Sequence, residues 1–232
     1  MVIEGSKLIR TYGQSQGLHD ATVLVSESGL LREEVRRVLD SFVVPRVYSV
    51  AQQAFMDLTE LEQPEGILAM LEIPQVSVVL PDEFRLLLDG IQDPGNLGTL
   101  LRSAAAAGAT SVRLSKGCAD VWSPKCLRGG MGAQFSLPIF QGQSAEEMLA
   151  EFDGMVLGTS AEASSLLYEL DLTGPVAMVF GSEGGGIGKE FQSLATHWAR
   201  VPLAPAVESL NVGAAATLFM FERVRQVGGL GG

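Results

Sequence analysis

The chain has 232 residues, 47% of them hydrophobic and 19% charged. That is long enough to bury roughly 70–75% of the unfolded surface in one large core or two modest ones, and the balance excludes global disorder. Two cysteines, Cys118 and Cys126, exclude a disulfide scaffold and match no zinc spacing, and a net charge of −11 argues against nonspecific nucleic-acid binding through a basic surface. With no leader-like segment at the start and no apolar run of membrane length, the sequence predicts a soluble cytoplasmic protein with reduced thiols.

In chain order, TVLVS (22–26) and RVYSV (46–50) read as strands, with LREEVRRVLDSF between them as an amphipathic helix. AQQAFMDLTELE reads as a second helix and GILAMLEI (66–73) as a buried strand. PQVSVVLPDEF carries two prolines where the pattern changes, which places a domain boundary at about 74–83 and the division at 1–77 and 78–232. Beyond it RLLLD, SVRLS, GMVLG and VAMVF are short apolar segments, each followed by glycine and a helical stretch, with WARVPL as a further strand. This alternation predicts an α/β fold with a parallel sheet covered by helices on both faces, preceded by a small α/β domain. The last helix, NVGAAATLFMFERVRQV, runs into a GGLGG tail expected to fray.

Charge is unevenly distributed. Residues 1–80 sum to −5 and residues 129–222 to −9, whereas 85–128 carry six cations (Arg85, Arg102, Arg113, Lys116, Lys125, Arg128) against three acids, a net of +3. This basic island is the expected place for phosphate to meet an acidic protein, alongside Arg32, Arg36 and Arg37.

Three segments carry the chemistry. In DGIQDPGNLGTLLRSAAAAGA (89–109) the PGN turn breaks the chain and Asn96 stands where a helix N-cap belongs. The helix after it is built of small and apolar residues with Arg102 as its one charge, so Arg102 lies at a solvent edge or is aimed at an anion. In VAMVFGSEGGGIGKE (176–190) a strand delivers the chain into five glycines within positions 181–188, a loop whose backbone N–H groups a ligand can approach. It is not a Walker A loop, which needs glycine at Glu183 and Ser or Thr at Glu190, nor a dinucleotide fingerprint, which needs glycine at Lys189. Glu183 would repel a pyrophosphate, so the ligand is expected to be cationic or neutral. In VPLAPAVESLNVGAAATLFMFERVR (201–225) two prolines hold an extended loop before SLN opens the final helix, with Ser209 or Asn211 as its N-cap. No nucleophile–base pair is recognisable around His19 or His197, GTSAE breaks a nucleophile elbow at Glu162, and no cluster points to a metal.

Together, in this order and spacing, the three segments resemble the motifs of the SpoU family of the SPOUT superfamily, RNA ribose 2′-O-methyltransferases, over 84–226. IEGSKLIR and EQPEGILAMLE more loosely resemble the ribosomal-protein-like RNA-binding domain often fused ahead of that enzyme. The resemblance implies a deep trefoil knot in the C-terminal part, a homodimer with the active site completed across the subunit interface, and S-adenosylmethionine as the methyl donor. By match to the motifs, Gly181, Val201 and Leu210 would hold the cofactor, with Thr159, Ser182, Gly186, Leu203 and Ser209 as neighbours. Asn96, Arg102, Glu183, Ser209 and Asn211 match the family's polar active-site positions. The matching arginine is usually given the task of activating the 2′-hydroxyl; a guanidinium, with a pKa above about 12, is better suited to binding the adjacent phosphate and stabilising alkoxide charge. One departure stands out: RGGMGA (128–133) has Gly130 where relatives commonly carry serine, which removes a hydroxyl from this loop and would loosen it.

The expected activity is therefore methyl transfer from S-adenosylmethionine to a ribose 2′-hydroxyl, with 23S rRNA favoured over tRNA by the preceding RNA-binding domain. Two other classes compete: a non-catalytic RNA-binding homologue with the same fold, and a nucleotide-binding α/β enzyme, against which the failed phosphate-loop matches weigh.

Overall fold

Burial on both faces of two strands decides the architecture. The computed structural model describes residues 1–77 and 81–229; residues 78–80, inside the expected boundary, and 230–232, in the expected tail, lie outside the described residues. In β5 (Phe84–Asp89) and β10 (Val176–Gly181) nearly every residue is buried. Leu86, Leu88, Met178 and Phe180 join one hydrophobic cluster, while Leu87, Ala177 and Val179 join another. A strand buried on both faces reads as an unbroken apolar run, and it needs helices above and below.

Those helices come from the segments between strands. After β5 the chain forms α4 (Pro94–Ala106), β6 (Ser111–Ser115), α5 (Pro124–Gly130), β7 (Ile139–Gln143) and α6 (Ala145–Leu149). It continues through β8 (Met155–Thr159), β9 (Ser165–Leu166), β10, α7 (Lys189–Leu194), β11 (His197–Arg200) and α8 (Val212–Gln226). The seven strands lie in the order β7-β6-β5-β10-β8-β11-β9, and every pairing is parallel. Residues of α4 and α8 belong to the first cluster, residues of α6 and α7 to the second. The expected parallel sheet with both faces covered is what the chain forms. Because the strands run the same way, the loops after β5, β8, β10 and β11 all leave from one edge. Pairing of Phe180 with Leu88 and Gly181 with Asp89 sets the start of the glycine loop beside the end of β5.

The N-terminal residues form β1 (Val2–Glu4), α1 (Ser6–Gln16), β2 (Thr22–Ser26), α2 (Glu33–Ser41), β3 (Arg46–Val50), α3 (Gln52–Met56) and β4 (Ile67–Met70). Their sheet is mixed, in the order β1-β4-β2-β3, with β2 and β3 parallel and β4 antiparallel to both of its neighbours. Several elements are shorter than their sequence patterns. The helix expected over AQQAFMDLTELE stops at Met56, the strand over GILAMLEI stops at Met70, and that over WARVPL stops at Arg200 before Pro202. The expected helix after GMVLG is only a 3-10 turn, Leu167–Glu169.

The core of the first sheet does not close on itself. Leu127 and Phe135, from the later part of the chain, are buried among Ile9, Tyr12, Val35 and Val38. Phe135 meets Tyr12 edge to face at 5.1 Å between centroids, and Gln16 donates to the Phe135 carbonyl at 3.4 Å. The two sheets are therefore joined by a shared apolar seam.

The basic island of the sequence is dispersed by folding. Arg85 and Arg113 are drawn into a buried cluster on Asp82, with Arg85 Nε at 2.8 Å and Arg113 at 3.2 Å. Burial works against ionisation of Asp82, but bonds from the Thr110 and Ser111 hydroxyls and the charge of Arg85 outweigh it and hold its carboxyl below the usual range. Lys125 pairs with Asp93 at 2.9 Å and Arg128 with Glu60 at 3.6 Å. Of the six cations, Arg102 and Lys116 are exposed without a side-chain partner among the described residues. A continuous basic patch over 85–128 is thus not formed, because the parallel sheet draws the cations on β5 and β6 into its covered face against Asp82.

Gly130 also departs from expectation. It is the buried last residue of α5, and a side chain there would run into the amide of Gln134, itself fully buried and donating to the Cys126 carbonyl at 3.1 Å. The space of a serine hydroxyl is filled by Gln134, so the segment is packed, not loosened.

Candidate active site

Three loops converge at the carboxyl edge of the sheet, and each is fixed by a local device. Pro94 at the start of α4 lacks an N–H to satisfy, and Asp93 caps the helix by accepting from the Asn96 amide at 2.8 Å. Asn96 is therefore not the N-cap that the sequence pattern implied. It sits within the first turn, and its side chain is free for another partner. Asn211 does cap α8, its Oδ1 accepting from Gly213 at 2.9 Å and Ala214 at 3.3 Å.

The glycine loop folds back on itself. Ser182 and Gly186 exchange backbone bonds of 3.1 and 2.8 Å, and the Ser182 hydroxyl accepts from Gly185 at 3.1 Å. A Cβ at Gly181 would collide with the Gly186 carbonyl, and Gly186 has φ of 62°, so neither position tolerates a side chain. The far end of the loop is tied to β5 by Gly188, which donates to Asp89 Oδ2 at 2.8 Å. Asp89 opens the first of the three segments, but its partnership with the glycine loop follows from the strand register, which pairs it with Gly181.

The three motifs meet through their side-chain amides. Asn96 Nδ2 donates to Glu183 Oε1, and Asn211 Nδ2 donates to Asn96 Oδ1 at 2.9 Å and to the same Glu183 oxygen at 3.3 Å. Both amides are thereby oriented, and Glu183 Oε2 has no protein donor among the described residues.

Beside this ring lies an open hollow of about 750 Å³. Thr159, Gly181, Ser182 and Gly186 line it from one side, and Val201, Leu203, Ser209 and Leu210 from the other. The Thr159 hydroxyl donates to the Val179 carbonyl at 2.9 Å, while the Ser182 hydroxyl accepts from Gly185 and keeps its own proton to donate. The sequence reading missed Trp198, Arg200, Glu162 and Phe219 in the same wall. Trp198 packs on Gly158, where a Cβ would strike its ring, and Arg200 donates to the Ala163 carbonyl at 2.9 Å, holding the loop after β8. Trp198 is brought there by the pairing of β11 with β8 and Arg200 by the pairing of β11 with β9, which no window of neighbouring residues contains.

The charged residues around this hollow are Glu162, Glu183 and Arg200. One cation engaged with backbone does not suit a polyphosphate, whereas two carboxylates suit a ligand bearing positive charge. The apolar surfaces of Leu203, Leu210, Trp198 and Phe219 suit a flat ring, and the free backbone of the glycine loop suits polar groups. The residues present therefore fit S-adenosylmethionine, a sulfonium linked to a nucleoside. No set of three or more metal-ligating side chains is gathered among the described residues.

Arg102 is not part of this assembly. It is exposed on α4 and lines neither this hollow nor the smaller one beside it. The face of α4 next to it packs on α8, with the Ser103 and Thr217 hydroxyls 2.7 Å apart.

Comparison with known proteins places this geometry. The sequence profile of the SpoU rRNA Methylase family matches residues 83–221. An uncharacterised tRNA/rRNA methyltransferase of Synechocystis is 33% identical over 97% of this chain and 84% of its own. The 23S rRNA (guanosine(2553)-2′-O)-methyltransferase RlmP of Bacillus subtilis is 32% identical over 95% of this chain and 86% of its own. Among solved structures, the SpoU methyltransferase AviRb from Streptomyces viridochromogenes, in complex with the cofactor AdoMet, superposes with a TM-score of 0.87 at 26% identity, covering 99% of this chain and 91% of that one. A parallel sheet whose late glycine loop is locked to two distant asparagines, and a profile match over most of that region, lead to one assignment: the chain belongs to the SpoU rRNA methylase family.

Proposed function

We propose that this protein is an RNA 2′-O-ribose methyltransferase acting on ribosomal RNA. The observation that carries the reading is the Asn96–Glu183–Asn211 ring, which draws one residue from each of the three motifs to the rim of the large hollow. Bound there, S-adenosylmethionine supplies a methyl group made electrophilic by its positive sulfur. The protein's task is then to hold the two reactants in line and to compensate charge as a hydroxyl becomes an ether oxygen. Gly181, Val201 and Leu210 hold the donor through backbone, with Thr159, Ser182, Gly186, Leu203 and Ser209 around them. Glu183 is the negative group beside the sulfonium site, and its Oε2 is open to a further donor. Asn96 and Asn211 hold that carboxylate in place, and Ser209 at the rim offers a hydroxyl to either reactant.

Arg102 supplies the charge for the RNA phosphate and the developing alkoxide, and it does so from a second copy of the chain. Support for a homodimer is its position outside both hollows, together with Leu218 and Phe221, which are 40% and 42% exposed on α8. Residues 78–232 form the methyltransferase domain, and residues 1–77 form a ribosomal-protein-like RNA-binding domain that presents Arg32, Arg36 and Arg37 at its surface. Insertion of β10 between β5 and β8, with α8 returning against α4, supports the trefoil knot implied by the family. The target in the name of the Bacillus relative, which matches over the N-terminal domain as well, supports 23S rRNA over tRNA. No helix among the described residues is long and apolar enough to cross a membrane, and the free cysteines support a reducing cytoplasm.

Calorimetric titration with S-adenosylmethionine, with NAD and ATP as controls, tests the cofactor. Saturable binding of S-adenosylmethionine alone, near one site per chain, is expected, followed by methylation of a 23S rRNA transcript. Binding without transfer to any RNA would instead favour a non-catalytic RNA-binding homologue.

A further inference from the structure

A smaller hollow of about 350 Å³ lies against the first, lined by Ile91, Gln92, Asp93, Asn96, Glu183 and Val212 among others. The two hollows share Ser182, Glu183, Gly184, Gly185 and Val212, so they adjoin at the glycine loop and the carboxylate. We propose that this smaller hollow seats the target nucleoside and that Gln92 contacts its base. The inference rests on the methyl-transfer reading above, and it adds where the acceptor lies and what selects it.

Three observations carry it. In-line transfer requires the attacking oxygen in contact with the methyl group on the side opposite the sulfur, so the donor and acceptor sites must be contiguous and meet at an open junction. This hollow is the one that shares the Glu183 wall with the large hollow, and its volume falls at the lower end of the range for small-molecule sites, the size for one nucleoside taken out of a strand. Its chemistry also discriminates. Asp93 and Glu183 with no cation in the lining exclude a phosphate from the interior, while carboxylate and amide groups suit the N–H and carbonyl edges of a base and the hydroxyls of a ribose.

Within that lining the amides are not equivalent. Asn96 is engaged with Glu183 and Asn211, and both Asp93 oxygens are engaged, one with the Asn96 backbone and one with Lys125 at 2.9 Å. Gln92 is exposed and has no hydrogen-bond partner among the described residues, so its amide keeps a donor and an acceptor for a ligand. Lys125, more than half exposed at the other side of Asp93, is placed outside the hollow, where the flanking phosphate would run.

The test is saturation-transfer NMR on the full-length protein, saturated with S-adenosylhomocysteine, with each of the four ribonucleosides as probe. The expected result is a saturable signal from one preferred nucleoside, reduced at least tenfold in Gln92→Ala. Calorimetric affinity for S-adenosylmethionine should stay within twofold in the same variant. In Gln92→Glu, which removes the amide donor but keeps an acceptor, the order of preference among the four should change. Equal nucleoside signals in wild type and Gln92→Ala, or none in either, would overturn the assignment. An unchanged order in Gln92→Glu would overturn the base-contacting role. Failure of the broader reading would show separately, as wild-type protein that does not bind S-adenosylmethionine.

Discussion

Asn96 and Asn211 are 115 residues apart in the chain and meet at 2.9 Å, amide to amide, on the same oxygen of Glu183. The contact closes the site, yet the two asparagines have different local duties. Asn211 caps α8, whereas Asp93 relieves Asn96 of capping α4.

That difference separates the two alanine variants. Asn211→Ala removes a cap as well as the ring and should cost about 1–2 kcal/mol of stability along with activity. Asn96→Ala leaves the Asp93 cap intact, so its stability by urea denaturation should stay within about 0.5 kcal/mol of wild type. Its methylation rate should still fall at least tenfold. Equal destabilisation by both variants would show that the ring is a packing feature and not part of the site.

Arg102→Lys keeps the charge but loses the planar fork, and it should lose most turnover while retaining S-adenosylmethionine binding. If the arginine serves the partner's site, mixing Arg102→Ala with Glu183→Ala chains should regenerate about a quarter of wild-type sites through heterodimers. No recovery on mixing would place Arg102 in its own chain's site.

Gly98→Ala tests the packing that presents the site. A Cβ on Gly98 would collide with the backbone of α5 at Cys126 and Gly130, which cannot yield as a side chain can. The expected cost is about 2–3 kcal/mol, read as a lower denaturation midpoint. A variant as stable as wild type would mean that the α4–α5 contact is looser than it appears.

Glu222 gives the pH dependence. Bonds from Arg225, at 2.7 and 2.9 Å, and from Gln226 hold its carboxyl down at about 2, although burial opposes this. A depressed folded value means the stabilisation is fully present above the ordinary carboxylate pKa of 4.5 and is lost as pH falls towards 2. Wild type should therefore exceed Glu222→Gln in stability at pH 6, with the gap closing below pH 4.5. Because Arg225 is well exposed, solvent screening should keep that gap to about 1 kcal/mol. A gap that persists unchanged to pH 2.5 would assign the effect to packing.

The sequence by itself determined the layered α/β fold and the family. Apolar runs such as VAMVF and RLLLD are what strands buried on both faces require, and no other arrangement hides them. It determined the loop residues of the large hollow too, because ligands approach backbone where glycine or proline shapes the loop, but not Glu162, Trp198, Arg200 or Phe219 in the same wall. Local rules decided less well where two residues compete for one local role: Asp93 and Asn96 are both good caps, and Pro94 settles the matter for Asp93. Only the tertiary structure decided which cations are usable. Arg85 and Arg113 stand in the same basic island as Arg102, but they lie on neighbouring strands that bury both of them against Asp82. Only it brought Asp89 to Gly188, filled the space beside Gly130 with Gln134, and left Arg102 outside its own chain's hollows. Each of these is a contact between distant segments, set by strand order and register, and no window of neighbouring residues contains that information.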